Sequence, residues 1–282
     1  MDAMPKRILE AVESMPAFPK SVQKVLVLSR EIDCSPKDLV EVIKNDPIFT
    51  LKILRVVNSP FVGLVQKINS IHQASVYLGL NTLKNIALNL ATIGVLPKEN
   101  QAGFDMNDFW LHSLAVAVVT QKLGELLRIS KSEAEDFFST GLLHDVGKVV
   151  LALYMPDDFK EALRRVHEDG ERLHDAEMDL IGATHADIGS MLAQKWGLSD
   201  NMVDGIAGHH SPYLEPPLDI VDCVFTANQV CKYLDVGSAG EPEVEEIPLG
   251  MQERMKLDLE GAVEALTDLE DELKRVNILI QA

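Results

Sequence analysis

His144 and Asp145 stand side by side at the end of an apolar run, in GLLHDVGK at 141–148. A neutral imidazole and a carboxylate placed this way can face one divalent ion together. Gly147 is expected to relax the backbone just beyond them. Lys148 is expected to place a positive charge near a phosphate. An isolated pair of this kind carries little information, because a capped helix end explains it equally well. The other histidines add to it. His112 lies in FWLHSLAVA, an apolar stretch in which an imidazole needs a partner. His185 lies in THADIG and His209-His210 in GHHSP. Five of the eight histidines, with Asp145, thus fall in four apolar or helix-terminal settings. Nitrogen donors with one carboxylate suit iron, zinc, manganese or nickel rather than calcium.

The elements that must position these groups read as helices. Apolar residues recur with the 3.6-residue period along most of the chain, with little strict alternation, which predicts an all-α fold. Helices are expected over 6–13, 19–30, 36–44, 47–57, 70–77 and 81–93, with Ser70 and Asn81 as caps. The second of these places Val22, Val25, Leu26 and Ile32 on its apolar face. Residues 1–96 read as an N-terminal helical subdomain without a catalytic cluster, and Pro97 to Asn107 as the boundary after it. An HD-bearing helical subdomain is expected over 104–235. Its helices fall near 108–127, 132–144, 157–169, 173–196, 199–209 and 219–233, with a proline-rich loop at 211–217. Residues 235–250 read as a linker or an exposed excursion. The unit at 236–282 ends in an amphipathic helix. Its Ala262, Leu266, Leu269, Leu273, Val276 and Ile280 form a seam that packs on its own domain or, as the second reading, joins a homodimer.

Composition narrows the function classes. Of 282 residues, 46% are hydrophobic, enough for a substantial core. Lys and Arg number 26 against 44 Asp and Glu, a formal net charge of -18. Such a surface repels phosphate backbones and anionic lipids, so neither nucleic acid nor membrane is an expected partner. A small anionic ligand needs only a local cation. Cys34, Cys223 and Cys231 show no CxxC spacing and fit a reducing, cytoplasmic setting, with the last two in the core. The N-terminus lacks a signal-peptide pattern, and no apolar run is long enough to span a bilayer. His72, His167 and His174 read as structural or solvated residues, and Trp110 and Trp196 as core.

The order His112, His144-Asp145, His185, His209-His210 resembles the HD superfamily of metal-dependent phosphohydrolases. The run from FWLH through GLLHDVGK to HHSP and TANQV is similar, more specifically, to HDOD domains, the HD-related output domains. NDPIFTLKILRVVNSPFVG at 45–63 and INSIHQASVYLGLNTLKNIAL at 68–88 agree with this. The resemblance covers about residues 10–235. It implies an all-α domain acting in bacterial signalling or regulation, with a signalling protein as partner. It also implies a departure. Active HD hydrolases close their ligand set with an aspartate on the last domain helix. The matching position here is Asn228, in VFTANQV, and Asp222 lies nearly two turns earlier. The GYP segment of relatives that cleave cyclic dinucleotides is replaced by SPYLEPP.

Three readings follow. In the first, the domain is non-catalytic and acts through protein or ligand interaction, with its histidines holding a structural metal or a polar core. In the second, it is a phosphohydrolase of nucleotides or cyclic dinucleotides. His112, His144 and Asp145 then hold one metal and His185, His209 and His210 another, Asp145 bridges them, and Lys148 contacts phosphate. Asp145 and Lys148 are its catalytic candidates. In the third, a bound iron makes the domain a sensor.

Overall fold

The computed structural model describes residues 4–28, 36–60, 62–64, 66–96, 99–211, 219–266 and 269–276. Cys34, Ile32, Ile280 and nearly all of the proline-rich loop lie outside them. Among the described residues all regular structure is helical. The N-terminal half holds α1 (Lys6–Ser14), α2 (Lys20–Leu28), α3 (Pro36–Lys44), α4 (Pro47–Val57), α5 (Ile71–Leu78) and α6 (Leu80–Val95). Asp46 caps α4 by accepting from the Phe49 amide, with Pro47 in the first turn, as the Asp-Pro pair predicts. Ser70 caps α5 in the same manner. The expected Asn81 cap is corrected. Gly79, at φ 82°, both ends α5 and opens α6, so Asn81 is the second residue of the helix rather than its cap.

The second half begins with α7 (Met106–Leu126), capped by Asp105, and α8 (Lys131–Leu143), which opens on a Ser130–Glu133 capping box. A helix that the periodicity does not reveal follows at once, α9 (Val146–Tyr154). VGKVVLALY is buried nearly all round, so it lacks the polar stripe that marks an amphipathic helix. Next come α10 (Pro156–Asp169), α11 (Leu173–Ile181) and α12 (His185–Lys195). The single helix expected over 173–196 is therefore two. Gly182, left-handed at φ 85°, ends α11, and Thr184 starts α12 through a capping box with Asp187. Then follow α13 (Asp200–Gly208), α14 (Asp219–Tyr233), α15 (Leu249–Met255), α16 (Leu259–Glu264) and α17 (Leu269–Val276).

One buried apolar cluster runs from Ile8 to Leu269 and draws on both halves. Trp196 stacks on Phe18 at 4.6 Å and Trp110 packs on Phe109, so both tryptophans are core, as expected. Cys223 and Cys231 are buried free thiols. Ala262, Leu266 and Leu269 of the seam are buried in the chain's own core, and Leu273 is partly buried. No helix of the described residues is long and apolar enough to cross a membrane.

Residues 236–248, within the stretch 235–250 that reads as a linker or an exposed excursion, are only partly exposed. They form a strap without regular structure that lies across α7 and α14. Ser238 donates its amide to the Asp108 carbonyl, and Ala239, Glu241 and Ile247 are buried. At Gly237 a Cβ would come within 2.6 Å of the His112 amide and the Asp108 carbonyl. Only glycine allows the strap to lie this close to α7.

Candidate metal centre

The histidines reach one place because helix ends converge there. His144 follows the last turn of α8, and Asp145 follows it as the residue before α9. The Asp145 carboxylate makes no capping bond, so it is free to face inward. His185 is the first residue of α12, and His209 closes α13. His112 alone comes from the middle of a helix, α7, where it faces Asn228 of α14.

Each imidazole is oriented by a second partner. His144 Nδ1 donates to the Gly141 carbonyl at 2.8 Å, and His209 Nδ1 to the Ile206 carbonyl at 2.6 Å. Both are bonds back to a residue three positions earlier, and both leave Nε2 with a lone pair aimed at Asp145. The two Nε2 atoms and Asp145 Oδ1 are buried without a hydrogen-bond partner. His185 Nδ1 donates to Glu177 Oε2 at 2.7 Å, and the His185 amide bonds the same oxygen at 2.8 Å. Carboxylate, imidazole and inward Nε2 form the chain that raises a ligand's basicity in metal centres. Two groups of donors result, His112, His144, Asp145 and Asp145, His185, His209, His210, each with its ligand atoms within 4.8 Å of one another. These orphaned, convergent donors fit a transition metal.

Three residues join the site without having been expected there. Glu177 orients His185. Glu241, from the strap, is buried, bonds Lys232 Nζ of α14 at 3.0 Å and stands 3.9 Å from His210 Nε2. His174 is half-buried rather than fully solvated. Its ring centre is 5.7 Å from that of His210, and its Nδ1 is buried. Glu241 lies in a Gly-, Pro- and Glu-rich run with several other acids, so no local signal marks it. His167 is exposed, as expected, and so is His72, which reads in sequence as structural rather than as a ligand. Asp222 points elsewhere and takes a two-pronged bond from Arg254 at 2.6 and 2.9 Å. Asn228 Oδ1 lies 3.0 Å from His112 Nε2. Lys148 is 1% exposed and donates to Asp145 Oδ2 at 2.8 Å, beneath the cluster rather than on an open surface.

The electrostatics follow from burial and from these pairings. Burial lowers His112 to about 3, with His144 adding to the effect. Burial also lowers His209, to about 4, against the pull of Asp145. Burial opposes charge on His185 too, but the Glu177 carboxylate overrides it and raises His185 to about 9. His144 and Lys148 hold Asp145 well below its usual range although burial favours its neutral form.

The chelator-treated protein should accordingly lose stability on the acid side before most carboxylates titrate. Between pH 6.5 and 4 the unfolded chain takes protons on His112 and His209 that the fold refuses. The His185 contribution has the opposite sign. It is complete below pH 6.5 and fades as pH rises toward 9. Thermal melts followed by circular dichroism test this. A melting temperature that stays flat from pH 6.5 down to 4.5 would contradict it.

A buried aspartate ringed by histidines, at the junction of several helix ends, defines the HD class of helical domains. The chain belongs to the HDOD family, whose domain model matches residues 15–212. That span contains all six expected metal ligands, whereas Asn228, Lys232 and Glu241 lie beyond it. The fold is that of an HDOD domain protein of unknown function from Geobacter sulfurreducens. The two share 23% identity over 97% of this chain and 98% of the other, with a TM-score of 0.78. A protein from Shewanella amazonensis, provisionally named a phosphohydrolase, aligns with TM-score 0.75 at 24% identity over 98% of each chain. A provisionally named signal transduction protein from Marinobacter aquaeolei aligns with TM-score 0.76 at 22% identity, over 99% of this chain and 62% of that one. An uncharacterised protein of Treponema pallidum is 24% identical over 243 residues, 86% of this chain. The chain spans about half the length of that curated relative, 46%.

Proposed function

We propose that this chain is a signalling or regulatory HDOD module that binds rather than cleaves, and that its His/Asp centre retains a transition metal for structure. One observation carries the reading. The position that would hold the closing acid is Asn228, and its side-chain oxygen is engaged by His112. A neutral amide cancels none of an ion's charge, so Asp145 is the one carboxylate that the two donor groups share between them. Burial supports the same conclusion. His112, His144, Asp145, His185 and His209 are each at most 2% exposed, which leaves a phosphate ester no approach to them. The name of the Marinobacter relative agrees with a signalling role. The output then passes through a protein partner or a small anionic ligand.

The phosphohydrolase reading draws on Asp145, which is common to both donor groups as a bridging carboxylate would be. The two readings separate in one experiment. Protein purified without added metal is analysed for iron, zinc, manganese and nickel, then assayed on cyclic dinucleotides, nucleotides and a generic phosphodiester with manganese or iron. Retained metal without turnover is the expected result. Turnover that disappears in His144→Ala/Asp145→Ala would establish the enzyme. Absence of metal, with thermal stability unchanged by metal or chelator, would end the metal claim.

A further inference from the structure

The two donor groups are not equivalent, and the difference lies in what already occupies their atoms. In the group of His112, His144 and Asp145, two of three donors are taken. His112 Nε2 is engaged by Asn228 at 3.0 Å, and Asp145 Oδ2 is held by the Lys148 ammonium at 2.8 Å. Only His144 Nε2 remains. One nitrogen does not hold an ion.

In the other group no ligand atom is hydrogen-bonded to a residue outside the group. Asp145 Oδ1 and His209 Nε2 are buried and unpartnered. Asp145 Oδ1 lies 3.2 Å from His185 Nε2 and 3.4 Å from His209 Nε2, and His185 Nε2 lies 3.0 Å from His210 Nε2. Bonds of about 2.1 Å to one transition metal set neighbouring ligand atoms roughly 3.0–3.4 Å apart. These three separations fall in that range, and all four ligand atoms lie within 4.8 Å of one another. Two imidazole nitrogens 3.0 Å apart also gain from a shared cation, because only one of them can carry the proton between them.

Charge supports the same asymmetry. Lys148 supplies a fixed positive charge on the Oδ2 side of Asp145, where a second ion would sit 2+ against it in a dry interior. On the Oδ1 side stand the acids, Glu177 behind His185 and Glu241 at 3.9 Å from His210 Nε2.

We propose that the centre is mononuclear. One divalent ion binds Asp145 Oδ1, His185, His209 and His210, while the Lys148 ammonium keeps the opposite carboxylate oxygen, Asp145 Oδ2. This deepens the metal-retaining reading and rests on it.

The stoichiometry of the full chain tests it. Protein stripped with chelator is titrated with zinc in a calorimeter, and the ion retained after gel filtration is counted by elemental analysis. One zinc per chain is expected. His210→Gln should lose it and His112→Gln should keep it, with circular dichroism checking that each variant is folded. Manganese-loaded wild type should give the signal of an isolated Mn(II) in electron paramagnetic resonance. Two zincs per wild-type chain, an exchange-coupled manganese signal, or retention that depends on His112 and not on His210 would overturn the proposal while leaving metal retention intact. No zinc in the wild type would remove the metal-retaining reading itself, and the proposal with it. The wild-type count needs no variant to fold.

Discussion

Asp145→Ala is expected to abolish metal retention and to lower the stability of the chelator-treated chain by about 3–5 kcal/mol. The first effect follows from Asp145 belonging to both donor groups. The second comes from Lys148, which is 1% exposed and pairs with Asp145 Oδ2. Without the carboxylate, an ammonium is left in the interior with its desolvation uncompensated, and that is what makes breaking a buried pair so costly. The distinction between these effects can be measured. Asp145→Ala combined with Lys148→Met removes the stranded charge, so it should be more stable than Asp145→Ala alone while retaining no metal. Urea unfolding in chelator, with elemental analysis alongside, follows both quantities. If Asp145→Ala alone unfolds within about 1 kcal/mol of wild type, the pair is not the internal anchor described above.

The residue order carried the all-α class and the donors themselves, because both are local. Apolar periodicity reports a helix face, and a histidine in FWLHSLAVA or GHHSP is conspicuous in its own segment. What escaped was non-local. Glu177 is one acid among many on an amphipathic helix, and only the turn at Gly182 and the cap at Thr184 bring it beneath His185. Glu241 sits in a run of Gly, Pro and Glu whose composition reads as linker. It becomes part of the site because Gly237 lets the strap settle on α7. His174 has charged neighbours in sequence but a ring neighbour in space. Helix α9 was invisible for a different reason. A helix buried on every side has no polar face to betray its period.

Gly147 carries the other large effect, and its role differs from the one its position suggests. Beside a His-Asp pair it reads as a residue that relaxes the backbone. Its backbone is ordinary helix, near the start of α9, and what requires glycine there is space. A Cβ on Gly147 would fall 2.0 Å from the His185 carbonyl oxygen and 2.8 Å from the Gly189 amide nitrogen, both main-chain atoms of α12. A flexible side chain could move aside, but a helix backbone cannot without the whole element shifting. Gly147→Ala is therefore expected to cost about 3 kcal/mol or more in stability, at the upper end of overpacking penalties. It should also weaken metal retention, because α12 carries His185 and its displacement pulls that donor from Asp145. Gly189→Ala should be milder, since its tightest contact is a methyl of Ile206 at 3.1 Å. Gly94→Ala is the control. It lies exposed in α6 with nothing within 4 Å of its would-be Cβ, so it should gain up to about 1 kcal/mol from helix propensity. Urea unfolding of the three variants, with zinc content measured on each, gives the ranking. Gly147→Ala as stable and as metal-replete as Gly94→Ala would mean that the contact between α9 and α12 does not set the geometry of the centre.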